Sequence, residues 1–528
     1  MADLQTDLAT RARYAQGAGI YRIVPAAVAR PTTVIELRGA LAEATTRGWP
    51  VTPRGTGSAM DGSNVGSGLV LDLTALDADR LAIDPVGRCA TASAAVSLAR
   101  LNAEAAHHGL RMPVDPSSGR WAVLGGLVGT NAAGARTVLH GQIDRWVTAL
   151  TLETDDGPLA LRRGVAPDPA HPVAARFARD VAPLLARSRE AILARWPAVR
   201  KNTLGYALDR WYRSGDLVDL VVGSEGTLGI VTEVEMALQP IPRVRAALRI
   251  AVPSRGQLVP IIEAVRAHQP ATLELLDASF LQFVAGHRAL GDLAGAAGVL
   301  LADVEGDIAA EVAARVDAAA HAARAHGARV EVAHDPQAIH ALWAVRHGAS
   351  PLLAALSDGR RSLQVIEDGC VPVARLAEYL EAIEAACTEA RLDVVMFGHA
   401  GDGHVHVNLL PNLGDADWLD RVRRVFDRVS AAVIALGGTP AGEHGAGRLR
   451  AGLVEATYGP ETLAAFRAIK AAFDPAGRFN PGVILAEPGD PFAQLKVGPA
   501  AALLPDGMEA WWRRVEGEAL WGQAGRGG

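Results

Sequence analysis

The residues best suited to chemistry lie in the run VVMFGHAGDGHVHVNLL, where His399, His404, His406 and Asn408 follow one another closely. Two apolar stretches, 392–398 and 404–410, read as strands, and Ala400-Gly401-Asp402-Gly403 between them is turn chemistry. A hairpin closed by those four residues sets His399 opposite His404. Side chains alternate between faces, so His404, His406 and Asn408 then share a face with His399. Three imidazoles converging within one hairpin form a metal-ligand arrangement. A second loop, Gly442-Glu443-His444-Gly445, has glycines on both sides that let adjacent acid and imidazole approach a ligand. Glu443 would complete a His₂Glu set that leaves a coordination position open for substrate. His444, a free imidazole beside a cation, would then be a natural general base. Arg346, in Leu342-Trp343-Ala344-Val345-Arg346, either snorkels and pairs with an acid or grips a carboxylate in bidentate fashion.

These groups need a scaffold, and glycine marks it. Of 528 residues, 55 are Gly and 30 Pro, above the usual shares of about 7% and 5%. There is no collagen-like period, and 49% hydrophobic content is too high for disorder. Three glycine-rich blocks stand out: PRGTGS at 53–58, PVDPSSGRWAVLGGLVGTNAAGARTVLHG at 113–141, and GSEGTLG inside 218–238. Loops alternating Gly with Ser or Thr expose successive backbone N–H groups, which suits a diphosphate without lysine. One such turn is commonly structural; three within one region suit a single extended ligand. No G-x-G-x-x-G and no G-x-x-x-x-G-K-[ST] occurs, so a dinucleotide would not be bound by a Rossmann fingerprint.

Around the blocks, 31–50 reads as a helix capped by Thr32 or Thr33 and ended at Gly48, 69–73 as a strand, and 165–200 as helical. The run 218–238 reads as a buried strand broken at GSEGTLG. The prolines of QPIPR near 240 suggest a boundary. Beyond it, strands such as RAALRIAVP and GVLLADVEG alternate with Ala-rich helices at 308–326 and 372–391. A last helix and turn lead into FNPGVIL, at 464–485.

Several function classes drop out. With 52 Lys+Arg against 58 Asp+Glu the net charge is −6, a poor nucleic-acid binder. No stretch approaches about 18 apolar residues, and the amino-terminal residues lack a secretory h-region. Cys89, Cys370 and Cys387 are too far apart for a Cys₄ zinc site or an iron–sulfur cluster.

The order PRGTGS, DPSS…GGLVGTNAAG…HG, KNTLGYAL, GSEGTLGIVTEV, FGHAGDGHVHVN, GEHG, FNPG resembles the FAD-linked oxidase family, over about residues 20–486. These are the vanillyl-alcohol-oxidase/PCMH-type flavoproteins, in their D-lactate, glycolate and D-2-hydroxyglutarate dehydrogenase branch. The resemblance implies an α+β fold: a PCMH-type two-subdomain FAD-binding domain (20–240), an α+β substrate cap (241–440), a return to the FAD domain (441–486) and a Trp-containing tail (487–528). It implies FAD held along Pro53, Arg54, Gly55, Thr56, Gly57 and Ser58, with the diphosphate on Arg54–Ser58. Further contacts are implied from Pro116, Ser117, Ser118, Gly125, Gly126, Gly129, Thr130, Asn131, Gly134 and Ala135, from Glu225, Gly226, Gly229 and Ile230, and from Asn480 near the ring. No histidine stands in the PRGTGS or DPSS loops, although His140 follows the second block, so non-covalent FAD is expected.

By the same resemblance His399, His406 and Glu443 ligate one divalent metal, usually zinc. His444 matches the general base, Arg346 the carboxylate-binding Arg, and Ser350 and Asn408 substrate contacts. The implied reaction is oxidation of a D-2-hydroxy acid, hydride passing to flavin N5 and electrons to an external acceptor: an iron–sulfur protein, an electron-transfer flavoprotein or a quinone. A homodimer, in the cytoplasm or peripheral to the inner membrane face, fits that reading. An alkylglycerone-phosphate-synthase-like transferase and an FAD subunit of a larger complex are the alternatives. The chain departs from the family pattern at His404, commonly Asn. At Glu367-Asp368, D-2-hydroxyglutarate-selective enzymes carry Lys before the Asp. In the tail, Asp506-x-x-Glu509 resembles a capping box before a helix with Trp511, Trp512, Val515, Leu520 and Trp521. That helix either packs on its own domain or docks a partner.

Overall fold

The computed structural model describes residues 3–285, 291–347, 353, 356, 359–498 and 501–515. The first expected helix runs Val34–Arg47. Thr33 caps it by accepting from the Glu36 N–H at 3.2 Å, and Glu36 accepts in return from the Thr32 N–H at 2.7 Å. Gly48 ends it in the left-handed region, where a side chain is costly. Its buried face, Leu37, Ala40, Leu41 and Ala44, packs on a parallel sheet of β1 (Ala27–Ala29), β2 (Val51–Arg54) and β3 (Leu69–Asp72), in the order β1-β3-β2. β2 delivers the first glycine turn.

A five-stranded antiparallel sheet holds the other two glycine blocks. It contains β4 (Leu81–Asp84), β5 (Cys89–Ser93), β7 (Val147–Thr154), β8 (Gly157–Arg162) and β9 (Ile230–Ala237), ordered β4-β5-β9-β7-β8. The proline-marked segment forms β10 (Gln239–Pro240), which pairs with β6 (Leu110–Arg111). The buried run 218–222 is not a strand. Val218–Val221 is one helical turn, because a run this short is equally compatible with either element. The helical stretch at 172–194 carries a π turn at Phe177–Val181.

The third sheet is antiparallel and has seven strands: β11 (Val244–Val252), β12 (Thr272–Asp277), β13 (Gly298–Gly306), β14 (Arg329–Ala333), β15 (Gly369–Cys370), β16 (Asp393–Gly398) and β17 (His404–Leu410). Their order is β14-β11-β13-β12-β16-β17-β15. One face buries Leu248, Leu273, Leu275, Met396 and Val407 against the helices Arg255–Arg266, Ala309–Ala325, Leu376–Ala390 and Trp418–Ala435. The period-2 alternation therefore leaves Glu274, Phe397, His399 and His406 on or beside the opposite face, toward a cavity.

After this sheet the chain returns: Ala441, Val454, Phe466, Ile469 and Val483 join the core of the five-stranded sheet. The tail helix, Met508–Val515, also packs inward. Trp512 is buried and its indole N–H donates to Ala12 O at 3.1 Å, while Arg22 pairs with Glu509 at 3.0 Å. Leu520 and Trp521 lie outside the described residues. Among the described residues no helix is long and apolar enough to cross a membrane.

One ionic cluster joins the two larger sheets. Glu305 on β13 receives Arg111, Arg136 and His140, the last at 2.9 Å. Burial opposes its ionisation, but His140, Arg136 and Arg111 override it and hold the carboxyl far below its ordinary range. A depressed carboxyl stabilises the fold above its unfolded pKa of about 4.3 and loses that contribution as pH falls toward the folded value. Glu305→Gln is expected to lower unfolding stability by about 3 kcal/mol at neutral pH, with the gap from wild type narrowing in denaturant titrations below about pH 4.

Candidate active site

The glycine blocks and the free face of the seven-stranded sheet enclose a cavity of about 1250 Å³. Residues 53–58, 116–118, Gly125, Gly126, Gly129, Thr130, Gly134, Ala135, Glu225, Gly226, Gly229 and Ile230 all line it. The glycines differ in what they do. At Gly226, φ is +70° and a Cβ would meet Pro53 at 2.3 Å, so the backbone itself requires Gly. At Gly129 a Cβ would meet nothing within 4 Å, although the residue lines the cavity. The space is therefore suited to a ligand that approaches the backbone closely, as an extended FAD would. Gly129→Val is expected to fold normally and to purify with at least tenfold less FAD, read from the flavin-to-protein absorbance ratio; full occupancy would contradict this fit.

Three of the implied FAD contacts differ in detail. Arg54 is buried, and its guanidinium donates to the carbonyls of Asn64 at 3.1 Å and Gln16 at 2.9 Å. It braces the loop from beneath, leaving the loop's backbone as the cavity-facing surface. Asn131 does not line the cavity. It ends the helix Leu124–Thr130 in the left-handed conformation and accepts from the Asp144 N–H at 3.0 Å. Asn480 lies behind the wall, donating to Ser63 O at 2.7 Å and Glu225 O at 2.8 Å. Both asparagines fasten loops, a role that a short amide at positive φ performs well. His140 is turned toward Glu305.

On the opposite wall, β16 and β17 pair Phe397 with His406, and the His404 N–H donates to His399 O at 3.2 Å. The turn Ala400–Asp402 closes through Gly403 at φ +74°, where a Cβ would strike Val371 O. His399 Nε2 lies 3.2 Å from His406 Nε2, and both lie 3.3 Å from Glu443 Oε1. The outer nitrogens are committed elsewhere: His399 Nδ1 to Glu274, and His406 Nδ1 to Glu367 O at 3.1 Å. If those outer nitrogens carry the protons, two imidazole lone pairs face a carboxylate oxygen. Such a set repels itself unless a proton or cation sits among the three. Two imidazoles and a carboxylate are donors suited to zinc. A proton otherwise serves: burial opposes charge on His399, yet Glu274 and Glu443 raise it to about 9.

Glu443 owes its ionised state to a residue that the motifs did not single out. Lys201 is fully buried, donates to Glu443 Oε2 at 2.7 Å, and stands 3.6 Å from Asp402. Against the burial that would neutralise it, Lys201 and His399 hold Glu443 well below the carboxylate range. His404 is fully buried on Asp368 at 2.9 Å, and burial pushes it down to about 3. Its Nδ1 has no hydrogen-bond partner and lies 3.9 Å from Glu443 Oε2, close enough to count as a fourth donor to the same ion.

His444 lines the cavity and stacks on His406 at 5.3 Å between centroids. Glu367 Oε2 holds its Nδ1 at 2.7 Å, and Asp368 accepts from its backbone N–H at 2.9 Å. Burial opposes the imidazolium, but Glu367 and Asp368 raise it to about 10. A divalent cation on the neighbouring donors would oppose that charge and favour the neutral ring. Arg346 also lines the cavity, over the Phe397 ring at 4.4 Å and 3.7 Å from Glu274. Asn408 is fully buried and does not line the cavity. It accepts from Ser362 at 3.0 Å and from Gln364 at 3.2 Å, and Gln364 takes the cavity-facing position. Ser350 lies outside the described residues.

The fold and the glycine-lined cavity are those expected of FAD-linked oxidases. The FAD binding domain model matches residues 25–160 and the FAD linked oxidases, C-terminal domain, matches residues 241–484. The chain belongs to this family and is an FAD-binding oxidoreductase of α+β architecture with the PCMH-type fold. It is 29% identical to glycolate oxidase subunit GlcD of Bacillus subtilis, over 88% of this chain and 90% of that one. It is 27% identical to D-2-hydroxyglutarate dehydrogenase of Pantoea ananatis over 91% of its own length, and spans about half of that longer relative. Its fold matches 4-ethylphenol oxidase from Gulosibacter chungangensis with a TM-score of 0.64 at 15% identity, covering 92% and 94% of the two chains.

Proposed function

We propose that the chain oxidises a small D-2-hydroxy acid to the 2-oxo acid, using FAD and one divalent metal, zinc by the donor set, and passes the electrons to an external acceptor. The observation that carries this reading is the convergence of His399, His406 and Glu443 beside His444 and Arg346, all facing one cavity whose other wall is the glycine loops. FAD, when bound, supplies the two-electron acceptor for hydride from Cα, and the metal the Lewis acidity that lowers the hydroxyl pKa.

The chain's own residues do the rest. Arg346, planar and stacked on Phe397, binds the carboxylate and orients the acid. His444 accepts the 2-hydroxyl proton at Nε2, because Glu367 occupies Nδ1 and fixes the ring. Glu367 is in turn fixed by Arg450 at 3.0 Å, so base, orienter and support form a rigid series. Hydride and proton leave the same CH–OH unit, and the product is the 2-oxo acid. An acidic Glu367 beside the base, where some relatives carry Lys, disfavours a second carboxylate, so short monocarboxylic acids are the expected substrates. The test is turnover with an artificial electron acceptor across glycolate, D- and L-lactate and D-2-hydroxyglutarate, with 2-oxo acid measured directly. Turnover of a D-monocarboxylic acid supports the reading; no 2-oxo acid from any of them overturns it.

A further inference from the structure

We propose that Glu274 is a positioning residue that couples the metal and carboxylate subsites, an inference that rests on the function proposed above. Glu274 stands on β12, in the apolar run Thr-Leu-Glu-Leu-Leu-Asp, and is 2% exposed. Its two oxygens face different partners. Oε1 takes the Nδ1 of His399, and Oε2 lies 3.7 Å from Nε of Arg346. One buried carboxylate thus touches both the ring expected to hold the metal and the guanidinium expected to hold the substrate.

The two contacts have opposite consequences. Toward His399, the negative charge fixes the tautomer that presents Nε2 inward and makes that nitrogen a stronger donor. Toward Arg346, the same charge competes with any incoming carboxylate for one guanidinium and repels it. A carboxylate arriving at Arg346 therefore takes over part of Glu274's role, freeing Glu274 to serve His399. Substrate and metal become mutually supportive, and a resting site without substrate keeps Arg346 compensated rather than bare in a buried wall. Phe397 supports the arrangement with its ring 4.4 Å from the guanidinium carbon, a cation–π contact that helps hold Arg346 beside Glu274.

The experiment uses the full-length flavoprotein and two separate titrations. Zinc affinity is measured by competition with a chromophoric chelator. Propionate affinity is measured on chelator-treated protein through the shift in the flavin's visible spectrum. Glu274→Gln is expected to weaken zinc binding about 10- to 100-fold and to tighten propionate binding about two- to fivefold, with FAD retained. General damage to the site would weaken both. Zinc affinity equal to wild type, or both affinities falling together, overturns the proposal. Should the glutamine variant not accumulate folded, Glu274→Asp keeps the charge but withdraws it from His399. It is expected to lose at least tenfold in zinc affinity without weakening propionate binding, and wild-type zinc affinity overturns the proposal equally. Wild type and His399→Ala complete the set. If wild type binds no zinc, the metal reading itself fails; if His399→Ala alone abolishes binding and Glu274→Gln does not weaken it, only the coupling role fails.

Discussion

His444→Ala is expected to purify with a full complement of FAD and to reduce it at about 10⁻² to 10⁻⁴ of the wild-type rate, the usual span for loss of a general base. The retention of FAD is expected because the His444 ring contacts Glu367 and His406 rather than the glycine loops. The loss of rate follows from its being held by Glu367 at 2.7 Å and stacked on His406, so that one ring alone is poised to receive a hydroxyl proton beside the donor set. Substrate affinity should change little, since Arg346 is unaffected. Rapid-mixing reduction under anaerobic conditions reads all three quantities. A variant that reduces its flavin at the normal rate would remove His444 from the chemistry.

Glu443→Ala is expected to have two large effects at once. It removes the oxygen 3.3 Å from both His399 and His406, leaving only imidazoles where a carboxylate completed the donor set, so stoichiometric metal should be lost and activity with it. It also strands Lys201, which is 0% exposed and donates to Glu443 at 2.7 Å. Asp402, at 3.6 Å, compensates only in part. Breaking a buried pair from one side costs about 3–5 kcal/mol, which denaturant unfolding should register even in protein stripped of metal. Glu443→Gln separates the effects: it keeps a neutral acceptor for Lys201, so the stability loss should be smaller while the metal is still lost. Equal stability of the alanine variant and wild type would mean that Lys201 does not depend on Glu443 as its buried ion-pair partner, contrary to their 2.7 Å contact.

How much of this was legible before the fold depended on the kind of signal. The hairpin was, because its period-2 alternation and its Ala-Gly-Asp-Gly turn fix both register and face, and His399 indeed sits across from His404. The glycine loops were, because a missing side chain is visible in sequence. Asn131 and Asn480 stand off the cavity surface, a placement the sequence could not show because an asparagine within a cofactor-like motif reads the same whether it touches a ligand or ties a loop at positive φ. The single turn at 218–221 failed as a strand because four buried residues, three of them apolar, are too few to carry a period. The supporting charges were the least legible. Lys201, Glu274 and Glu367 act through partners far away in sequence, such as Glu443, 242 positions beyond Lys201. Two weak signals existed: Lys201 is one of three lysines in a chain that otherwise uses arginine, and Glu274 is a carboxylate flanked by leucines within a strand.

In the proposed reaction a 2-hydroxy acid is held between Arg346 and His444, facing the flavin. The most direct test is anaerobic mixing of the purified flavoprotein with glycolate, D-lactate and D-2-hydroxyglutarate while the flavin's visible absorption is followed. The prediction is complete bleaching by at least one D-2-hydroxy acid, slowed when the hydrogen on its Cα is replaced by deuterium and abolished when the metal is chelated. A flavin left fully oxidised by every acid, with FAD and metal both present, would contradict it.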